Sequence, residues 1–150
     1  MRAILALVLV LAAGPAAAGP GEVRLTPDEI AALGKGGAGP GSSGVAGIQT
    51  TVLMGDPTAA GPYAIEIRVP ANTRIAAHRH RDGRSAVVVS GDWYFGYGAA
   101  ADETAVKRLE PGSFYTEPAD APHFALTRAT PAVVYIIGMG PTDTVYQVRP

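Results

Sequence analysis

The run 74-RIAAHRHRDGRSAVVVSGDWYFGY-97 decides how the rest of this chain is read. Three short apolar or alternating segments, at about 73–80, 85–90 and 93–97, are cut apart by Asp82-Gly83 and by Ser90-Gly91-Asp92. Short segments punctuated by Gly and Asp are strands joined by tight turns. In the first of them His78 and His80 are separated by one residue. Side chains alternate across a strand, so both imidazoles share a face, and Arg79 and Arg81 point the other way.

The same grammar extends in both directions. Tyr63, Ile65, Ile67 and Val69 alternate with Ala64, Glu66 and Arg68, which predicts a strand with one buried face and one wet face. Further strands are expected at about 48–54, 113–117, 122–127, 132–138 and 143–148. Turns are signalled by Gly55-Asp56-Pro57, Glu110-Pro111-Gly112, Pro118-Ala119-Asp120 and Gly140-Pro141. Nothing past residue 46 asks to be a helix and no internal repeat is visible, so the reading is all-β, one antiparallel sandwich or barrel over residues 47–150.

Residues 19–46 read differently. Thr26-Pro27-Asp28-Glu29 has the N-cap, N1 proline and capping-box glutamate of a helix start, continued by Ile30 to Leu33. From Gly34 to Gly44 glycine dominates, a composition that predicts a flexible linker. Residues 1–18 read as a signal peptide: Arg2, an apolar run from Ala3 to Ala13, then the small residues Ala16 to Ala18. The apolar run falls short of the roughly 18 residues of a bilayer span, so the expectation is a periplasmic or secreted protein with no membrane attachment after cleavage. With 12 basic against 13 acidic residues no global field points to nucleic acid, and with no cysteine no disulfide framework exists.

Residues 72–98 and 112–127 resemble the two signature motifs of the cupin superfamily, which are double-stranded β-helix (jelly-roll) proteins. His78, His80 and Gly91 match the first motif, with Asn72 where its leading glycine stands. Gly112, Pro118 and His123 match the second, with Asp120 and Thr127 replacing a glycine and an asparagine. The stretch from about Ile48 to Tyr146 also resembles small secreted single-domain cupins. The resemblance implies that His78, His80 and His123, all the histidines of the chain, converge on one divalent transition metal. Imidazole ligands without thiolate leave Fe, Mn, Ni, Cu and Zn open.

One departure changes the chemistry. The motif glutamate, a fourth ligand in many cupins, falls at position 84, where this chain has Arg84. A guanidinium only donates and cannot ligate a cation. The carboxylate then comes from elsewhere or is missing. Glu117, a charge at the end of the run Ser113-Phe114-Tyr115-Thr116, is the first candidate for ligand or supporting acceptor, and Asp82 the second. Arg84 is expected to make the cavity select anions such as a small carboxylate. The alternative is an internal ion pair between Arg84 and Glu117, which would leave the pocket nearly neutral. Arg79 and Arg81 are expected at a solvated rim or at a subunit contact of a homodimer. The aromatic residues Trp93, Tyr94, Phe95, Tyr97, Phe114 and Tyr115 are expected to line or back the barrel. Two functions follow from such a site: a small-molecule enzyme, for instance a non-haem dioxygenase, or a non-catalytic binder of a metal or small anion.

Overall fold

Alternation along one strand lays down the core. Tyr63, Ile65, Ile67 and Val69 are each at most 4% exposed, and they pack against Ala86, Val88, Val134 and Ile136 from neighbouring strands. In this computed structural model, which describes residues 21–37, 39 and 41–147, the elements run in chain order. They are α1 (Pro27–Ala32), β1 (Gln49–Met54), β2 (Gly61–Val69), β3 (Arg74–Arg79), β4 (Arg84–Ser90) and β5 (Trp93–Tyr97), then β6 (Lys107–Leu109), β7 (Phe114–Glu117), β8 (His123–Leu126), β9 (Ala132–Gly140) and β10 (Val145–Tyr146). The proposed signal segment, residues 1–18, lies outside the described residues.

The strands form two five-stranded antiparallel sheets, ordered β1-β2-β9-β4-β7 and β10-β3-β8-β5-β6. Strands alternate between the sheets as the chain advances through β2, β3, β4 and β5, which is the double-stranded β-helix expected. The helix is there too: Glu29 N donates to Thr26 Oγ1 and Thr26 N to Glu29 Oε2, so the capping box closes around Pro27.

Four expectations are corrected. The short strand β6 and a 3₁₀ turn at Glu103–Ala105, capped by Asp102, have no apolar periodicity to announce them. The strand expected at 143–148 is reduced to Val145–Tyr146 among the described residues, while β9 runs on past its expected end to Gly140. The second face of β2 is not uniformly wet: Glu66 is buried, clasped by Arg68 through Nε at 2.7 Å and Nη2 at 3.1 Å. The glycine-rich segment is not free over its whole length either. Gly36 pairs with Thr50 of β1, and Gly41, Ser42 and Ser43 are buried against the barrel.

Local chemistry fixes the strand ends that carry the site. Asn72 and Asp120, standing where the motifs have glycine, both adopt left-handed backbone, φ 55° and 59°. Asn and Asp are the side chains that tolerate it best. Thr127, in place of the motif asparagine, does a bridging job. Its hydroxyl donates to Pro70 O at 2.5 Å and accepts from Thr73 N at 3.0 Å, tying the end of β8 to the turn before β3.

Candidate metal centre

A β-bulge aims the first histidine. Ile75 pairs with Ala125 and His78 with His123, so β3 holds one residue more than β8 between the two pairs. The extra residue resets the alternation. Ile75 and His78, three apart, therefore line the same cavity, while Ala77 joins Phe124 and Ala101 on the other side. His80 follows at the strand's end, two residues on. The three imidazole centroids lie within 5.2 Å of one another, with His78 edge-on to both other rings, and one ring nitrogen from each lies within 4.8 Å of the others. All three are buried.

Each ring is turned by a backbone carbonyl. His78 Nδ1 donates to Ala76 O at 2.8 Å, His123 Nδ1 to Ala121 O at 3.0 Å, and His80 Nδ1 to Asp143 O. A carbonyl can only accept, so Nδ1 must carry the proton and Nε2 keeps its lone pair. Burial, reinforced by His123, pushes His78 down to about 3. Burial and the Arg84 guanidinium, partly offset by Glu117, push His80 to about 4. His123 is lowered by burial against an opposing pull from Glu117. All three are neutral at pH 7, with inward-facing lone pairs.

Glu117 and Arg84 complete the cluster as cross-strand partners on β7 and β4. Arg84 Nε donates to Glu117 Oε2 at 2.7 Å, Nη2 donates to the same oxygen, and Nη1 donates to Gly41 O at 2.7 Å. Burial, the largest single influence, would raise the Glu117 carboxyl, but Arg84, His123 and His80 together outweigh it and hold the group ionised, at about 2. Glu117 Oε2 lies 3.5 Å from His123 Nε2 and 3.8 Å from His80 Nε2. Arg84 Nη2 also sits 2.6 Å from His80 Nε2 and donates to its lone pair. The expectation of an Arg84 fork free to select anions is therefore corrected: Arg84 is spent on the internal ion pair with Glu117, which is the alternative reading. Asp82 is not in the cluster: its oxygens accept from Tyr63 OH at 2.7 Å and Thr142 Oγ1 at 2.5 Å.

Solved structures resemble this architecture at low identity. The DMSP lyase DddQ from Ruegeria pomeroyi DSS-3 is 20% identical, with 67% of this chain and 51% of that one covered at a TM-score of 0.57. The polyketide cyclase RemF from Streptomyces resistomycificus is 14% identical over 85% and 88% of the two chains, TM-score 0.64. An RmlC-like cupin from Shewanella frigidimarina NCIMB 400 is 16% identical over 73% and 85%, TM-score 0.57. This is the cupin fold. The chain spans about half the length of DddQ. No family model and no curated protein matches the sequence.

In the cupin barrel the donor set fits a divalent transition ion. Donor atoms on such an ion, bonded at about 2.0–2.1 Å, stand roughly 3–3.5 Å apart, so nitrogens lying within 4.8 Å of one another would draw in by up to about 1.5 Å around it. His123 Nε2 is buried with no hydrogen-bond partner, an acceptor that a cation would satisfy. Sequence reasoning missed the segment 141–146. Asp143 O orients His80, Thr144 Oγ1 bonds Ser42 O at 2.8 Å, and Tyr146 OH bonds Ser43 O, all through backbone groups that carry no side-chain signature.

Proposed function

We propose that the protein is an exported, metal-dependent cupin that holds one divalent transition ion between His78, His80 and His123, with Glu117 as fourth ligand or supporting acceptor, and acts there on a small molecule. The observation that carries this reading is the set of three Nδ1–carbonyl bonds, which turn three neutral Nε2 lone pairs toward one point. An ion there supplies Lewis acidity or, if iron, a redox centre for dioxygen. Loading requires Arg84 Nη2 to release His80 Nε2, because one lone pair cannot serve both; the Arg84 Nε bond to Glu117 is free to stay. That a lyase and a cyclase are among the similar structures supports catalysis.

Elemental analysis of the native protein tests the metal, and turnover of candidate small molecules with Fe(II) and dioxygen tests the oxygenase reading. A second reading, a non-catalytic binder, draws on one specific observation. Arg84 and Glu117 are spent on each other, and no fourth histidine exists to act as a general base. Metal bound at one per chain with no turnover would favour it. Export rests on residues 1–18 and is tested by intact mass: a mature chain starting near Gly19 supports it and an uncleaved cytoplasmic product overturns it. No helix among the described residues is long and apolar enough to cross a membrane.

A further inference from the structure

The two sheets turn very different faces outward. On β2, Tyr63, Ile65, Ile67 and Val69 point into the core, so Ala64, Glu66 and Arg68 point away from it. Residues paired across neighbouring strands share a face, and the register carries two rows over the outside of this sheet. One runs Met54, Ala64, Ile137, Ser85 and Thr116 through all five strands; the next runs Glu66, Tyr135, Val87 and Phe114. Val89 continues the face from Val87, and Met139 from Ile137. Among the described residues, Glu66 and Arg68 are the only charged side chains in the outward positions of these strands, and they neutralise each other.

The other sheet is salted with charge. Arg74, Arg79 and Arg108 lie partly exposed on it and pair with Glu103, Asp120 and Asp92. An antiparallel sheet bathed in water sets polar residues outward against apolar residues inward. The β3 sheet obeys that rule and the β2 sheet breaks it. Phe114 is 63% exposed, Met139 59% and Ile137 48%, with Met54 and Val89 each over a third. At roughly 150–250 Å² for a large side chain, these five leave about 500 Å² of apolar surface in water, at the upper end of the roughly 300–600 Å² that a monomer shows. Val87, Val133 and Tyr135, half-buried on the same face, bring it toward the roughly 800 Å² per partner of a stable interface.

The chemistry of the face selects its occupant. It has no net charge for an acidic or basic partner to read, and no basic rim with which to meet a lipid surface. It does fit itself. Two copies of a sheet with one twist stack face to face about 10 Å apart, and under a two-fold axis a single patch serves both sides.

We propose that the protein is a homodimer joined through the outward face of β1, β2, β9, β4 and β7, with Ile137 and Phe114 in the buried contact. The subunit contact expected at Arg79 and Arg81 moves accordingly: both are held within their own chain, by Asp120 and Asp143. Because the face points away from the histidines, the dimer is independent of the metal reading.

Protein expressed from the full sequence is purified, and its mass is followed by light scattering and sedimentation on dilution from about 100 µM to 1 µM. A dimer with Kd of about 1 µM or below is expected. Chelation should leave it unchanged, and so should about 1 M NaCl, since no ion pair crosses the contact. Ile137→Glu places two carboxylates in the contact, one from each copy, and should raise Kd at least about 100-fold with circular dichroism and Tm unchanged. Phe114→Glu should do the same and decides the matter if Ile137→Glu fails to fold. Arg79→Glu should leave the dimer intact. A monomer at the highest concentration, a species other than a dimer, wild-type Kd in the folded face variants, or dissociation by salt or by Arg79→Glu overturns the proposal.

Discussion

Two cross-strand pairs meet inside the barrel, and they solve burial in opposite ways. On β3 and β8, His78 stands opposite His123; on β4 and β7, Arg84 stands opposite Glu117. The charged pair is satisfied internally, fork against carboxylate. The neutral pair, joined by His80, is satisfied only at Nδ1 and directs its remaining lone pairs at a common point. The lesson is that charge alone does not mark the ligand site. Buried ions that neutralise each other are complete as they stand, whereas buried neutral acceptors without partners need something from outside.

The strongest way to break this comparison is to remove the neutral pair. His123→Ala should abolish stoichiometric metal, and chelation, which in the wild type should lower Tm, should then leave the melting curve unchanged. An ion present at a hundred times its Kd stabilises the folded state by about 2.7 kcal/mol, so the lost shift is readily measured. Full occupancy in His123→Ala would show that the three histidines do not act together. The charged pair should respond differently. Arg84→Met leaves a buried carboxylate uncompensated and should cost about 3–5 kcal/mol in chelated protein, while Arg84→Met with Glu117→Leu should recover most of that. A single variant as stable as wild type would mean that Glu117 is neutral in the fold.

Much of this site could be seen in the residues and part of it could not. The pairing of His78 with His80, the strand phase of Tyr63 to Val69 and the turn chemistry at Asp120 are local, with periods of two or fixed offsets that survive in a linear string. The bulge between Ile75 and His78 depends on how many residues β8 places opposite, which no single strand reveals. The burial of Gly41 to Ser43 was hidden for another reason. Composition predicts whether a segment can hold itself together, and this one is instead held by Arg84, Thr144 and Tyr146, whose bonds end on its carbonyls. β6 fails on both counts, being three residues long with only Leu109 buried.

Acid sharpens the contrast, because two of the neutral histidines, His78 and His80, titrate where the charged pair does not. His78 and His80 have folded values of about 3 and 4 against 6.5 for an ordinary histidine. Their contribution is fully present above pH 6.5 and is lost as pH falls, since the unfolded chain takes up protons that the fold refuses. Between pH 7.5 and 5.5 the chelated protein should lose roughly 2–3 kcal/mol, read by urea denaturation at each pH, and His78→Ala should lose about half as much. Glu117 stays ionised across that window, so an equal loss in the double variant lacking Arg84 and Glu117 is expected.

Glu117→Gln tests whether the charged pair also serves the metal. The change keeps the shape and removes the charge 3.5 Å from His123 Nε2, and metal affinity should fall by about 10–100-fold. An unchanged affinity would confine Glu117 to holding Arg84.

The smallest effect should come from the other buried carboxylate near the histidines. Asp82 lies between His80 and Arg84 in the sequence, and position alone makes it a rival to Glu117 as metal ligand. In the fold its two oxygens are occupied by Tyr63 OH and Thr142 Oγ1, so it anchors the start of β2 and the end of β9 instead. Asp82→Asn keeps an acceptor for one hydroxyl and offers an amide to the other, which should cost about 1 kcal/mol of stability and leave metal affinity within about twofold of wild type. Titrating zinc into Asp82→Asn and Glu117→Gln side by side makes the test quantitative. If Asp82→Asn loses more affinity than Glu117→Gln, the fourth ligand lies in the loop before β4, and the ion pair on β4 and β7 is structural alone.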